Sequence, residues 1–339
     1  MKYLYVYGGA IGDTLLGIHL GRTLSLNNPQ TQLILVSTRK NDFARELTAT
    51  IPFVQYIELQ KRHFSSWIML ARMMSKPWKS VIYDPFASPV SFWWKIILWS
   101  ASRYPGSIVV RCQIRPKPIP PYARAVVYDC KKDNLFDTPR RVLEAWGIEV
   151  HNTPHPSLSA PACSAPVSGR YIVFHFLAGV YRRSVPAAHA RDILLSARAQ
   201  FPHHIFVVTC SSEEYARTEK IVDGIANIII KPGLPAQDIL CLLSHASLCV
   251  GVASGITHVA AHLDVPSVVL CNLSDPCWLP TYNPKVVLLA ERARCKCNGD
   301  KTGECAEITP QGAVYCCLYD IKTESVIDAM KRLDVNKKI

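Results

Sequence analysis

The chain has 339 residues, 49% of them hydrophobic and 19% charged, with 38 Lys and Arg against 26 Asp and Glu for a formal net charge of +12. This composition excludes a disordered chain, and the length suits two domains better than one core. The positive balance favours anionic partners, but there is no block of consecutive Lys or Arg and no nucleic-acid signature, so nucleic acid is not expected among them.

The first strand is expected from Tyr3 to Tyr7, followed by the tight turn Gly8-Gly9-Ala10-Ile11-Gly12-Asp13. From Thr14 the apolar spacing predicts a helix that ends near Asn27-Asn28-Pro29, and Leu33 to Val36 reads as the second strand. A helix from about Asp42 to Thr50, a strand Gln55 to Leu59, a helix Phe64 to Ser75 and a strand Ser80 to Tyr83 follow. Val90 to Ala101 is the longest apolar run and contains Lys95. It is shorter than the roughly 20 residues that span a bilayer. It reads as a helix, packed on the sheet or laid at a membrane interface through Trp93, Trp94 and Trp99. Ser107 to Val110 reads as a strand, the Pro-rich stretch Arg115 to Pro121 as a loop, and Asp137 to Trp146 as a helix closed at Gly147.

Between Thr153 and Gly169 four Pro and four Ser mark an extended interdomain linker. The alternation then restarts. Strands are expected at Tyr171 to Phe176, His204 to Thr209, Ile228 to Lys231 and Leu248 to Val252. Helices are expected at Pro186 to Phe201, Ser212 to Gly224 and Ala236 to His245. Val250 to Leu270 reads strand, turn, helix, strand, with Ser254, Gly255 and Thr257 at the helix start. Free backbone N–H groups there and the positive dipole end favour a phosphate, while Ser254 acting as a plain N-cap is the competing reading. The fold class is therefore α/β: two Rossmann-like halves, 1–155 and 168–320, laid out as in a GT-B enzyme or another two-Rossmann clamshell with the ligand in the cleft, then a C-terminal Cys-rich loop and a final helix and tail, 321–339.

The opening MKYLYVYGGAIGD lacks the apolar region and cleavage pattern of a signal peptide, so a cytoplasmic location is expected. Thirteen cysteines are then expected to be reduced, with Cys210, Cys241, Cys249 and Cys271 as small core residues. Cys295, Cys297, Cys305, Cys316 and Cys317 crowd a loop near the end. Thiolates suit tetrahedral zinc, yet the spacing matches no standard zinc knuckle, and no metal is assigned.

Three stretches resemble glycosyltransferase family nine, the heptosyltransferase-like enzymes that extend lipopolysaccharide cores. Gly9 to Leu16 is similar to the family's IGD-x-L turn. Arg182-Arg183-Ser184-Val185-Pro186 is similar to its K-R-W-P element. Ala253 to Ala261 resembles its D-S-G-x-x-H-x-A-A motif. The tail from Cys317 through Val326 resembles its closing pattern. The resemblance implies an inverting, metal-independent transfer from a nucleotide-diphosphate sugar, ADP-sugar favoured, to a lipid-linked saccharide at the inner membrane surface, with no cofactor. It implies Asp13 as catalytic base beside the acceptor-side turn of Gly9 and Gly12. Arg182, Arg183, Ser254, Gly255 and Thr257 would meet the donor diphosphate. His258 would contact the nucleotide, or be a satisfied core residue. Asp13 as a simple helix cap and the arginines as a solvated pair are the competing readings. Ala253 stands where the family commonly has Asp, and Val185 where it has Trp. A non-catalytic sugar-nucleotide-binding relative and a sugar-nucleotide epimerase remain the alternatives.

Overall fold

The structure is a computed structural model and describes residues 2–7, 10–37, 40–58, 68, 69, 72, 80–83, 108–112, 124–128, 132–148, 150, 155–271, 276–291, 306–309 and 312–335. Gly9, Cys295, Cys297, Cys305, the apolar run 90–101 and the Pro-rich stretch 115–121 lie outside the described residues. The chain divides into two compact units, Met1–Pro156 and Ser157–Ile339.

In the first unit the strands are β1 (Lys2–Tyr7), β2 (Gln32–Ser37), β3 (Val54–Glu58), β4 (Ser80–Tyr83), β5 (Ile108–Cys112) and β6 (Arg124–Tyr128). They form one sheet in the order β3-β2-β1-β4-β5-β6, every pair parallel. Helices α1 (Ile11–Asn27), α2 (Asp42–Ala49) and α3 (Thr138–Ala145) belong to this unit. Helix α1 buries Leu15, Leu16, Ile18, Leu20 and Leu24. A Cβ at Gly17 would come within 2.8 Å of the Leu35 side chain, so the helix lies close on β2 only because that position is glycine.

The second unit repeats the plan. Strands β7 (Tyr171–His175), β8 (Ile205–Cys210), β9 (Ile228–Pro232), β10 (Leu248–Val252), β11 (Ser267–Leu270) and β12 (Val286–Leu289) give the order β12-β11-β10-β7-β8-β9, again parallel throughout. The helices are α4 (Ala187–Gln200), α5 (Tyr215–Val222), α6 (Ala236–Ser244) and α7 (Gly255–His262). A hairpin of β13 (Ala306–Thr309) and β14 (Gly312–Tyr315) then leads to α8 (Cys316–Tyr319) and α9 (Thr323–Val335). Runs such as YIVF, FVVT and SVVL are apolar without alternation because both sheet faces are covered. Ile172 and Phe174 share one core with Ile193, Leu194 and Ala197 of α4 and with Val326, Ala329 and Met330 of α9.

Several expectations are corrected. Helix α1 starts at Ile11 rather than Thr14, so Gly12 and Asp13 stand in its first turn and not in the preceding loop. The Asp13 carboxylate reaches back to the N–H of Ala10, at 3.1 Å, which closes that turn and suits an acid at the helix start. Strands β6, β12, β13 and β14 are additions to the sequence reading. The terminal cysteines do not share one loop: Cys316 and Cys317 open α8 and are buried in the second core at 4% and 0% exposure. Cys163 and Cys241 are joined in a disulfide, against the expectation of thiols throughout. The segment that carries Cys163 is held to the second unit by its own bonds, with Leu158 donating to the carbonyl of His262 at 2.7 Å, and this brings it to α6.

A close strand contact lies between β7 and β10, where Gly251 pairs with His175. A Cβ on Gly251 would sit 2.5 Å from the His175 carbonyl oxygen, a backbone atom that cannot swing away. Gly251→Ala should therefore destabilise the protein by about 1–3 kcal/mol, read as a lower denaturant midpoint. An unchanged midpoint would contradict this packing.

Candidate functional site

In the second unit the connections leave β7 and β10 in opposite directions along the sheet, since β8 and β9 lie on one side of that pair and β11 and β12 on the other. Such a switch point opens a crevice at the carboxyl ends of the two strands, and ligands of open α/β sheets bind there. Two segments leave those ends. One is the loop from Phe176 to Ser184 after β7, and the other is the turn Ala253-Ser254 after β10.

The loop after β7 is closed at its neck. Val185 donates to the Phe176 carbonyl at 2.9 Å, and the Ala178 N–H donates to the Ser184 hydroxyl at 3.0 Å. Val185, which replaces the tryptophan of the resemblance, is fully buried in the α4 core and anchors that neck. Tyr181, Arg182 and Arg183 form a single 3-10 turn near the end of the loop, with Arg182 exposed and Arg183 half-buried. The loop is thus a fixed turn that carries two guanidinium groups.

The turn after β10 presents the start of α7. Ser254 is the N-cap, with extended backbone, and its N–H donates to Thr257 Oγ1 at 3.0 Å. The Thr257 hydroxyl in turn donates to the Val252 carbonyl at 2.9 Å and is buried at 1% exposure. Thr257 is consumed in bracing the turn, so its hydroxyl does not point out to a ligand. Ser254 Oγ is buried and makes no hydrogen bond among the described residues. A hydroxyl without a partner at a helix start, next to backbone N–H groups that no helical carbonyl can satisfy, is suited to an anion. Gly255 opens the helix and puts no side chain over those N–H groups. Ala253 packs against Val269, Cys271 and Leu279 and offers no acceptor.

His258 is on the same helix but faces inward, at 6% exposure. Burial lowers its pKa to about 4, so the ring is neutral near pH 7. Burial is what the core-residue alternative of the sequence reading requires.

Two residues of this edge escaped the sequence reading. His175 ends β7, and its Nδ1 lies 3.1 Å from the Thr209 carbonyl and 3.0 Å from its hydroxyl. Burial lowers its pKa. With the Nδ1 proton given to the carbonyl, the neutral ring keeps its Nε2 lone pair as an acceptor. The sequence signal was a histidine at the last position of an apolar strand, where α/β folds place ligand groups. Arg217, in the first turn of α5, stacks its guanidinium 4.6 Å from the Tyr181 ring centre. Its Nε and Nη2 are buried without a hydrogen-bond partner among the described residues. A lone arginine in an amphipathic helix gave no signal; only the fold brings it to the turn of Arg182 and Arg183.

In the first unit the same strand order puts the switch point between β1 and β4. Asp13 follows β1 in the first turn of α1 and is half-buried. It is four residues before Gly17, whose Cα side lies against the sheet, so Asp13 is on the sheet-facing side of the helix at the strand ends. Gly12 precedes it in the same turn.

The buried histidines set a pH dependence. Burial lowers His19 in the first unit and His258 in the second to about 4, from 6.5. The unfolded chain takes up these protons first as pH falls, so their contribution is full above about pH 6.5 and is lost progressively toward pH 4. Denaturant unfolding across that range should show stability falling with pH, with a smaller slope in His258→Gln. An equal slope in that variant would contradict the assignment.

Comparison with known proteins agrees with this geometry. Residues 157–307 match Glycosyltransferase family 9 (heptosyltransferase). Lipopolysaccharide heptosyltransferase 1 of Pseudomonas aeruginosa is 31% identical over 85 residues, 25% of this chain and 24% of that protein, so the match spans about a quarter of the relative's length. The structure of Escherichia coli ADP-heptose lipopolysaccharide heptosyltransferase II superposes with a TM-score of 0.71 at 18% identity, covering 100% of both chains. A family 9 glycosyltransferase from Veillonella parvula gives 0.73 at 17% identity, covering 99% of this chain and 97% of that one. The two likenesses show the fold: two Rossmann-like units of the GT-B class. Residues 157–307, most of the second unit, are thus similar to glycosyltransferase family 9.

Proposed function

We propose that the protein is an inverting, metal-independent glycosyltransferase that moves heptose or a related sugar from an ADP-linked donor to a lipopolysaccharide or other cell-envelope saccharide. The observation that carries this reading is the switch-point edge of the second unit, within the family 9 segment. There the start of α7, with the orphaned Ser254 hydroxyl, and the arginine turn after β7 leave adjacent strands. Two of the proteins named above are described as heptosyltransferases, one of them as an ADP-heptose enzyme.

In the mechanism, the diphosphate rests on the N–H groups of Gly255 and Ile256 and on Ser254 Oγ, where the helix dipole favours its charge. Arg182 and Arg183 neutralise the leaving diphosphate, and the planar guanidinium makes two parallel bonds to phosphate oxygens. Arg217, stacked on Tyr181, supplies a further cation to the same turn. Thr257 holds the turn in shape rather than touching the ligand. His175 Nε2 accepts a hydroxyl of the donor. Asp13 removes the proton of the acceptor hydroxyl as that oxygen attacks the anomeric carbon, so one displacement inverts its configuration. The net charge of +12 supports peripheral contact with an anionic membrane surface, on the cytoplasmic face, where a lipid-linked acceptor is presented.

A second reading is favoured by Ala253. A sugar-nucleotide-binding relative without transfer would keep the phosphate edge and lose the groups that orient the sugar.

Thermal shift and transfer assays with ADP-heptose against UDP-, GDP- and dTDP-sugars separate these readings. ADP-heptose at 100 times its Kd should stabilise the protein by about 2.7 kcal/mol. Arg183→Ala should weaken donor binding by roughly tenfold or more, the loss of one charged hydrogen-bonding group. Asp13→Ala should bind donor as the parent does and transfer no sugar. Normal transfer in Asp13→Ala would remove the base from the mechanism. Donor binding with no transfer by the parent would establish the second reading.

A further inference from the structure

The second unit carries another cluster of reactive side chains, outside the group of residues placed at the phosphate edge. Cys163 lies in the Pro- and Ser-rich segment just after the division at Pro156. Cys241 is on α6, and His245 follows α6 by one residue. Their ligand atoms all lie within 4.8 Å of one another. The two sulfurs are bonded across 78 residues of sequence. His245 is exposed, and its Nδ1 is 3.0 Å from the Cys241 carbonyl. That contact, with the Ser244 hydroxyl 3.2 Å from the same nitrogen, orients the ring through Nδ1 and leaves Nε2 as the other ring nitrogen. Metal-binding histidines are commonly oriented in this way, through a bond from the other ring nitrogen to a carbonyl. Cys210, Cys249, Cys271, Cys277, Cys316 and Cys317 are buried.

We propose that Cys163, Cys241 and His245 form a site for a thiophilic divalent cation, with zinc its representative, occupied when the two thiols are reduced and closed as a disulfide when they are oxidised. Two thiolates and one imidazole are the donor set that tetrahedral zinc takes when a fourth position is left to solvent. Opening the disulfide consumes two electrons and two protons from a dithiol, which departs as its own disulfide. The cation then displaces the protons of the two thiols to solvent. In either state the segment around Cys163 stays fastened to α6, by a covalent bond or through the metal. The proposal does not depend on the sugar-transfer reading.

The test uses the full chain, reduced with a phosphine, desalted without oxygen and titrated with zinc against a chromophoric chelator, with cobalt as a spectroscopic substitute. Reduced parent protein should bind one equivalent more than Cys163→Ser and show a stronger sulfur-to-cobalt charge-transfer band. His245→Gln changes an exposed side chain and leaves the disulfide able to form; it should bind that equivalent at least tenfold more weakly. The terminal cysteines are common to all three proteins and cancel in the difference. Equal stoichiometry and affinity in the three, or the same binding before and after reduction, would overturn the proposal.

Discussion

Everything placed at the second unit's edge depends on how closely β7 and β10 approach. Gly251 lies against the His175 carbonyl with no room for a Cβ, and this lets the first and fourth strands of the unit pair although their connections diverge. The divergence opens the crevice, and the close pairing brings the turn after β10 beside the loop after β7. A helix start and an arginine turn, neither of which is a site by itself, are set on adjacent strands by that one contact. The groups that remain poorly satisfied there, Ser254 Oγ and two nitrogens of Arg217, are an anion's natural partners.

The two units use the same strand order for different ends. The first unit follows β1 with a helix whose opening turn holds a carboxylate, Asp13. The second follows β7 with a loop that holds cations and follows β10 with a helix start free of side-chain charge. In the proposed transfer, the carboxylate would take up the acceptor's proton and the positive edge would hold the departing diphosphate. Thr257 shows how the turn at the second edge is braced: its hydroxyl donates to the Val252 and Ser254 carbonyls and accepts from the Ser254 N–H.

Much of this was legible in the sequence because parallel strands are read from unbroken apolar runs. Tyr171 to His175 and Leu248 to Val252 were visible as such, and with them the position of the turn at Ser254. Asp13 and Arg183 stood at strand ends, where α/β folds place ligand groups, but a single carboxylate or an arginine pair carries no spacing signal, and a motif resemblance was needed to prefer them. The start of α1 was misplaced because Gly12 reads as a turn residue, although within a first turn it costs little. Thr257 looked like a ligand group because hydroxyls at helix starts often are; which oxygen it faces is decided by the fold. Arg217 and the joining of Cys163 to Cys241 depend on tertiary neighbours, across 78 residues in the second case, and no local pattern encodes them.

The central claim, that the second unit's switch point grips the donor diphosphate, is tested most directly by a crystal structure of the protein with an ADP-sugar. The account predicts phosphate oxygens at hydrogen-bond distance, about 2.7–3.2 Å, from the N–H groups of Gly255 and Ile256 and from Ser254 Oγ, with a guanidinium of the arginine turn on the same diphosphate. A diphosphate seated at the ends of β1 and β4 instead, or elsewhere on the second unit with the start of α7 left bare, would contradict it.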